Sequence, residues 1–79
     1  MSRFFFHTDD MPDDEGLELP SIADAKCEAV RYAGSLICDR AAKFWDTADL
    51  KITVSDERGL LLFILQFTGT EAPAIRAHR

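Results

Sequence analysis

The chain has 79 residues and a formal net charge of −5, with 47% hydrophobic and 29% charged residues. This length holds one small domain, and the composition is that of a globular protein rather than a disordered one. The negative charge and the scattering of the nine lysines and arginines disfavour nucleic acid as a partner. No apolar run approaches the roughly 18 residues of a membrane span, and the start lacks a signal-peptide pattern. We therefore expect a cytoplasmic protein outside the membrane.

The two cysteines, Cys27 and Cys38, lie eleven residues apart in a segment that we predict to be one helix. The helical rise separates them by roughly 16 Å along the axis, whereas the Cα atoms of bridged cysteines lie within about 7 Å. We therefore expect two free thiols, which suits a reducing compartment. Neither has an identifiable histidine partner, so we interpret both as small residues that pack at the edge of the core.

The chain opens with a predicted strand at residues 3–7, RFFFH, because aromatic residues favour strands and turn-forming acids follow them. Residues 9–16, DDMPDDEG, are predicted to form a loop, since Pro12 and Gly16 stand among aspartates. The sequence LEL at residues 17–19 alternates apolar and polar residues, which predicts a brief second strand that pairs back on the first.

A helix follows, and its start is the clearest local signal in the chain. Ser21 is a good N-cap, and Asp24 stands three residues later, close to the arrangement of a capping box. From Ile22 to Phe44 the apolar residues recur on one side at helical spacing, which predicts an amphipathic helix of about six turns. Residues 44–49 are then expected to be the connection to the next strand.

Two further strands are predicted to form a hairpin. Residues 50–55, LKITVS, alternate strictly between apolar and polar, as in a half-buried strand. Residues 56–59, DERG, predict a tight turn in which Gly59 adopts a positive φ. Residues 60–67, LLLFILQF, predict the returning strand, which is apolar on both faces along most of its length.

These elements predict an α+β fold in the order β-β-α-β-β, with an antiparallel sheet and one helix packed on one face. We assign residues 1–67 to this single small domain. Residues 68–79 contain glycine and proline and show little periodicity, so we expect a flexible C-terminal tail.

The acidic loop raises the question of a metal or catalytic site. A calcium loop needs glycine at its sixth position, which here places Met11, without a ligand oxygen on its side chain, at the first. The weak candidates for a metal or acid–base site are His7, Asp9 and Asp10, since the other histidine lies in the predicted tail. A solvated loop is the favoured interpretation. With no catalytic constellation recognised, we expect neither an enzyme nor a cofactor.

The apolar residues exceed what one helix can cover, because a helix packs on one face of a sheet. Strand alternation places Phe5, Leu60, Leu62 and Ile64 on the other face. An exposed apolar patch of this kind marks an interface, so we predict a homodimer or another protein partner that meets this surface. The alternative is that the tail or residues 44–49 fold over it.

The sequence resembles a family of short bacterial proteins of unknown function. The resemblance runs from residue 3 to residue 67 and rests on three segments: the FFFH opening, DDEGLELPSIADAKCEA leading into the helix, and ITVSDERGLLLFILQF at the closing hairpin. It implies the same small fold, and it implies no activity.

A weaker similarity is to the HicB-type antitoxins. They also run from a β-hairpin through a proline into a helix with an acidic cap. This analogy of fold implies an antitoxin-like or regulatory protein. Such a protein would bind a basic protein partner through its acidic loop.

Overall fold

The computed structural model describes residues 2–78. In chain order its elements are β1 (Ser2–Thr8), β2 (Leu17–Leu19), α1 (Ile22–Asp39), α2 (Ala41–Thr47), β3 (Asp49–Ser55), β4 (Leu61–Thr68) and a 3₁₀ helix (Pro73–His78). The strands form one antiparallel sheet in the order β2-β1-β3-β4. This confirms the predicted α+β fold and its strand-strand-helix-strand-strand order. The predicted domain begins at Met1 and the predicted tail ends at Arg79, and these two residues lie outside the described range.

The core lies between α1 and one face of the sheet. Its buried side chains come from the two central strands and from one line along the helix: Phe4, Phe6, Ile52, Val54, Ala25, Ala29 and Ala33. The three alanines recur at every fourth position, so they stack along one side of α1. Because alanine has no bulk beyond Cβ, this line lets the helix backbone approach the aromatic and β-branched side chains of the sheet closely.

The start of α1 follows the predicted capping chemistry. Ser21 has an extended backbone (φ −155°, ψ 168°), and its Oγ accepts the backbone N–H of Asp24 at 3.3 Å. The same hydroxyl donates to the Asp24 carboxylate at 2.7 Å. The exchange satisfies one of the free N–H groups at the helix start.

The helix is shorter than predicted, and the interpretation of residues 44–49 as a connection is wrong. Helix α1 ends at Asp39, because Arg40 leaves the helical region of the backbone (φ −118°, ψ 28°). The carbonyl of Arg40 then accepts the N–H groups of Lys43 and Phe44, at 2.9 and 2.8 Å, and thereby starts α2. Helix α2 ends at Thr47, and its C-cap residue Ala48 adopts the left-handed conformation (φ 55°, ψ 32°).

The β3–β4 hairpin contains an irregularity that the sequence pattern did not predict. Val54 faces Phe63 but the next residue, Ser55, faces Leu61, so the register shifts and Leu62 is left without a partner of its own. Such a bulge turns a side chain out of the strict alternation. Leu62 is half-buried and packs against the core residues, so it does not share the surroundings of Ile64.

Both cysteines are free, as expected, but their predicted packing at the core edge is wrong. Cys27 and Cys38 are exposed on α1. The buried side of the helix is restricted to the narrow alanine line, and aliphatic residues beside it, such as Val30, are also exposed. Among residues 2–78, no helix is both long enough and apolar enough to cross a membrane.

Candidate interaction surface

The face of the sheet that α1 leaves uncovered is the candidate functional surface, called the open face below. Because strand residues alternate between the two faces, the neighbours of the core residues point to this side. They are Arg3, Phe5 and His7 of β1, Lys51, Thr53 and Ser55 of β3, and Leu61, Ile64 and Gln66 of β4. The surface is thus polar in its central strand and apolar at one corner.

That corner is an apolar patch formed by Phe5, Leu61 and Ile64. Phe5 and Leu61 both face Ser55 from opposite sides, so they lie in one row across three strands. Leu60 precedes β4 in the turn and is 58% exposed, Leu61 is 57% exposed and Ile64 is 52% exposed. Phe5 is half-buried. Of the four residues predicted for an interface, Phe5 and Ile64 therefore belong to this patch. Leu60 is exposed in the turn before it, and Leu62 contacts the core.

Neither of the segments that were expected as possible covers lies over the patch. Residues 70–78 are all exposed, whereas a segment lying on the sheet would bury its own side chains. A Cβ atom added at Gly69 would lie 2.7 Å from the Trp45 ring, so Trp45 packs against the chain just after β4. This contact is at the end of β4 opposite to Leu61, and more than half of the Trp45 surface remains exposed.

The loop between β1 and β2 is organised by Asp13. Its Oδ1 accepts the N–H groups of Glu15 and Gly16, each at 3.0 Å, and its Oδ2 accepts the N–H of Phe6 at 3.1 Å. Partial burial raises the pKa of the Asp13 carboxyl, but the hydrogen bonds from the backbone N–H groups of Gly16, Phe6 and Glu15 outweigh this effect and lower the pKa below its usual value.

His7 is held between this loop and β3. Its Nδ1 accepts the backbone N–H of Asp13 at 3.0 Å, so its Nε2 carries the proton and donates to Ser55 Oγ at 3.1 Å. The ring also stacks on Phe5, with 6.5 Å between centroids and 9° between planes. Both ring nitrogens are therefore engaged in structural hydrogen bonds.

The structure does not bring Asp9 and Asp10 to His7. Both line a separate cleft of about 810 Å³ between the loop after β1, the end of α1 and α2. Asp10 lies 4.0 Å from Arg40, with both side chains largely exposed, so this ion pair contributes little. Within residues 2–78, no group of three or more histidine, cysteine, aspartate or glutamate side chains is placed to hold a metal ion.

Sequence reasoning missed Asp13 as the key residue of the acidic loop. The available signal was its place three residues before Gly16, where an aspartate can accept backbone N–H groups two and three residues ahead. The bond to Phe6 had no local signal, because it depends on how the loop returns to the sheet.

The chain matches no curated protein and no solved structure. The similarity to HicB-type antitoxins therefore stays a hypothesis. The sequence profile of a domain of unknown function, DUF6894, matches residues 3–68. This match begins one residue into β1, covers the other strands and both α-helices, and stops where β4 ends. The chain accordingly belongs to the DUF6894 family.

Proposed function

We propose that the protein is a small interaction module that self-associates through its sheet and carries no catalytic activity. The observation that supports this is the apolar patch of Phe5, Leu61 and Ile64 on the open face, in which Leu61 and Ile64 are more than half exposed and next to which Leu60 is exposed in the turn. Contiguous apolar surface rimmed by polar residues is typical of a protein–protein interface.

A second copy of the chain is the partner that fits this surface most simply. In a two-fold dimer each patch residue is used twice, so one cluster supplies both sides of the contact. Burying an aliphatic side chain contributes about 1.5–3 kcal/mol relative to leaving it exposed. The net charge of −5 on each chain opposes association, and salt screens this repulsion. Self-association should therefore strengthen as salt is added.

The absence of catalytic activity is proposed from how His7 and Asp13, the polar groups where the loop meets the sheet, are used. The ring nitrogens of His7 and the carboxylate of Asp13 are engaged with backbone or hydroxyl groups. A general base needs a free lone pair within reach of a substrate proton. The Nδ1 lone pair of His7 and three acceptor positions of Asp13 are used to hold the loop to the sheet.

The test is the solution mass, measured by light scattering across a concentration series. The monomer has a mass of 8.9 kDa, and the proposal expects twice that value at high concentration. Ile64→Lys should shift the equilibrium towards monomer. Val30→Lys on α1 is the matched control, because Val30 is 53% exposed and Ile64 is 52% exposed. A wild-type mass of 8.9 kDa at every concentration and salt level would overturn the proposal.

A second candidate is a regulatory protein that binds a basic protein partner through the acidic loop. It is supported by the exposure of the loop carboxylates Asp9, Asp10, Asp14 and Glu15. Binding of this kind weakens with added salt, which is opposite to the expectation for self-association. A basic protein that co-purifies at low salt should be lost from an Asp9→Asn/Asp10→Asn/Asp14→Asn variant, and its retention would exclude the loop as the binding surface.

A further inference from the structure

The direction of the backbone groups along β4 follows from one hydrogen bond. The N–H of Gly69 donates to the carbonyl of Ala48 at 2.8 Å, and these residues continue the register in which Thr68 faces Asp49. In an antiparallel pair, backbone groups point alternately towards the partner strand and away from it. The odd-numbered residues of β4 after the bulge therefore bond to β3. The backbone groups of Ile64, Gln66 and Thr68 point away from the sheet.

The opposite edge of the sheet is protected. Strand β2 has three residues, and it is followed at once by Pro20 and the start of α1. Beyond β2, the outward N–H of Phe6 is taken by Asp13 and that of Thr8 by the carbonyl of Met11. Short strands, nearby proline and neighbouring charges are the devices by which proteins keep an edge from pairing with other chains.

Strand β4 lacks most of these protective features. It is eight residues long, LLFILQFT, and contains no charged residue, glycine or proline. Within residues 2–78 it pairs with β3 alone. The bulge at Leu62 disturbs its first residues, but the register is regular from Phe63 to Thr68. A long, uncharged, unprotected edge of this kind favours pairing with another strand.

We propose that β4 pairs with β4 of a second copy, antiparallel about a two-fold axis, to form one continuous eight-stranded sheet. This inference rests on the proposed self-association and places the contact at the β4 edge, where Ile64 is the patch residue that takes part. A two-fold axis through Gln66 places Ile64 of each copy opposite Thr68 of the other, which satisfies the outward backbone groups of all three residues. The side chains that meet at this seam are uncharged, so the two acidic chains do not oppose each other there.

The edge pairing requires the outward backbone N–H and C=O groups of β4, whereas face-to-face packing does not. Gln66→Pro removes one outward N–H and leaves the bonds to β3 intact, and proline is tolerated on an edge strand whose N–H faces solvent. Gln66→Ser removes the same side chain but keeps the N–H. We expect Gln66→Pro to be monomeric by light scattering at concentrations where the wild type and Gln66→Ser are dimeric, with unchanged circular dichroism.

Amide hydrogen exchange on the wild-type chain provides the second measurement. It tests the edge pairing even if the proline variant unfolds. The amides of Ile64, Gln66 and Thr68 should exchange slowly at high concentration and at least tenfold faster on dilution to the monomer. Two results would overturn the edge pairing and leave the proposed self-association standing. The first is a dimer in which these three amides exchange fast. The second is a dimer that survives Gln66→Pro but dissociates with Ile64→Lys. A chain that is monomeric throughout overturns both the edge pairing and the self-association. Slow exchange that appears only when another protein is added also overturns the pairing of two copies.

Discussion

The carboxylate of Asp13 accepts the backbone N–H of Phe6 at 3.1 Å, and so provides the acceptor that a neighbouring strand would otherwise provide. Strand β2 pairs with β1 only as far as Phe4, so the next outward N–H of β1 would otherwise lack a protein partner. A side chain from the loop supplies the acceptor instead. The acidic segment is therefore a solvated loop that also satisfies one backbone N–H at the edge of the sheet.

Asp13→Asn should destabilise the protein by about 1–3 kcal/mol. The asparagine oxygen can still accept the N–H groups of Glu15 and Gly16, but its amide group then faces the Phe6 N–H, and two donors cannot bond to each other. Urea unfolding followed by circular dichroism measures the change. Asp14→Asn is the control, because Asp14 is exposed; an equal loss in the two variants would contradict this role of Asp13.

Stability should fall at acidic pH through Asp13. Its pKa is lower in the folded protein than in the unfolded chain, so ionised Asp13 favours the folded state. This contribution is present above the unfolded pKa of aspartate and is lost as the pH falls through the lowered folded pKa. The free energy of unfolding of the wild type should therefore drop more steeply below about pH 4 than that of Asp13→Asn. Parallel pH profiles would show that Asp13 does not carry this dependence.

Gly16→Ala should cost more stability than Gly59→Ala, although both glycines have a positive φ, 71° and 79°. The left-handed conformation costs a residue with a side chain about 1–2 kcal/mol at either site. At Gly16 an added Cβ would also lie 2.9 Å from the Phe5 ring and 3.0 Å from the Phe4 carbonyl oxygen, which belongs to the backbone and cannot move aside easily. At Gly59 the space is open. Thermal melts of the two variants provide the comparison, and equal shifts would argue against close packing at Gly16.

The hydrogen bonds of His7 predict which ring nitrogen carries the proton in the neutral imidazole. Nitrogen NMR should show Nε2 protonated and Nδ1 unprotonated, because Nδ1 accepts the N–H of Asp13. Ser55→Ala removes the contact to Nε2 and leaves the contact to Asp13, so the tautomer should persist in that variant. A mixture of tautomers in the wild type would mean that the loop does not hold the ring as described.

Local sequence chemistry predicted most of the elements because their signals act over a few residues. Ser21 and Asp24 lie three residues apart and exchange hydrogen bonds across one turn, and the alternation in residues 50–55 matches β3 closely. The break at Arg40 was not predictable in this way. No glycine or proline marks it, and the apolar spacing continues to Phe44. Both helices contact β3, so each places residues against the same sheet.

The candidate surface was predictable in part. Alternation placed Phe5 and Ile64 on the open face, since the pleat of a strand fixes the side of each residue. It failed at Leu62, because a bulge depends on how two strands pair and not on the composition of either. The edge position of β4, on which the pairing of two copies depends, also has no local signal. Strand order is set by the path of the chain through α1 and α2.

The sequence by itself determined where the strands and the first helix begin, where glycine must provide a turn, and that the chain is more apolar than one helix can cover. Those features depend on the backbone preferences and the period of side chains over a few neighbouring residues. The tertiary structure alone decided that Asp13 completes β1, that Leu62 turns to the core and that β4 lies at the edge. Each of these depends on contacts between segments far apart in the chain, and such contacts form only when the sheet and the helices pack together.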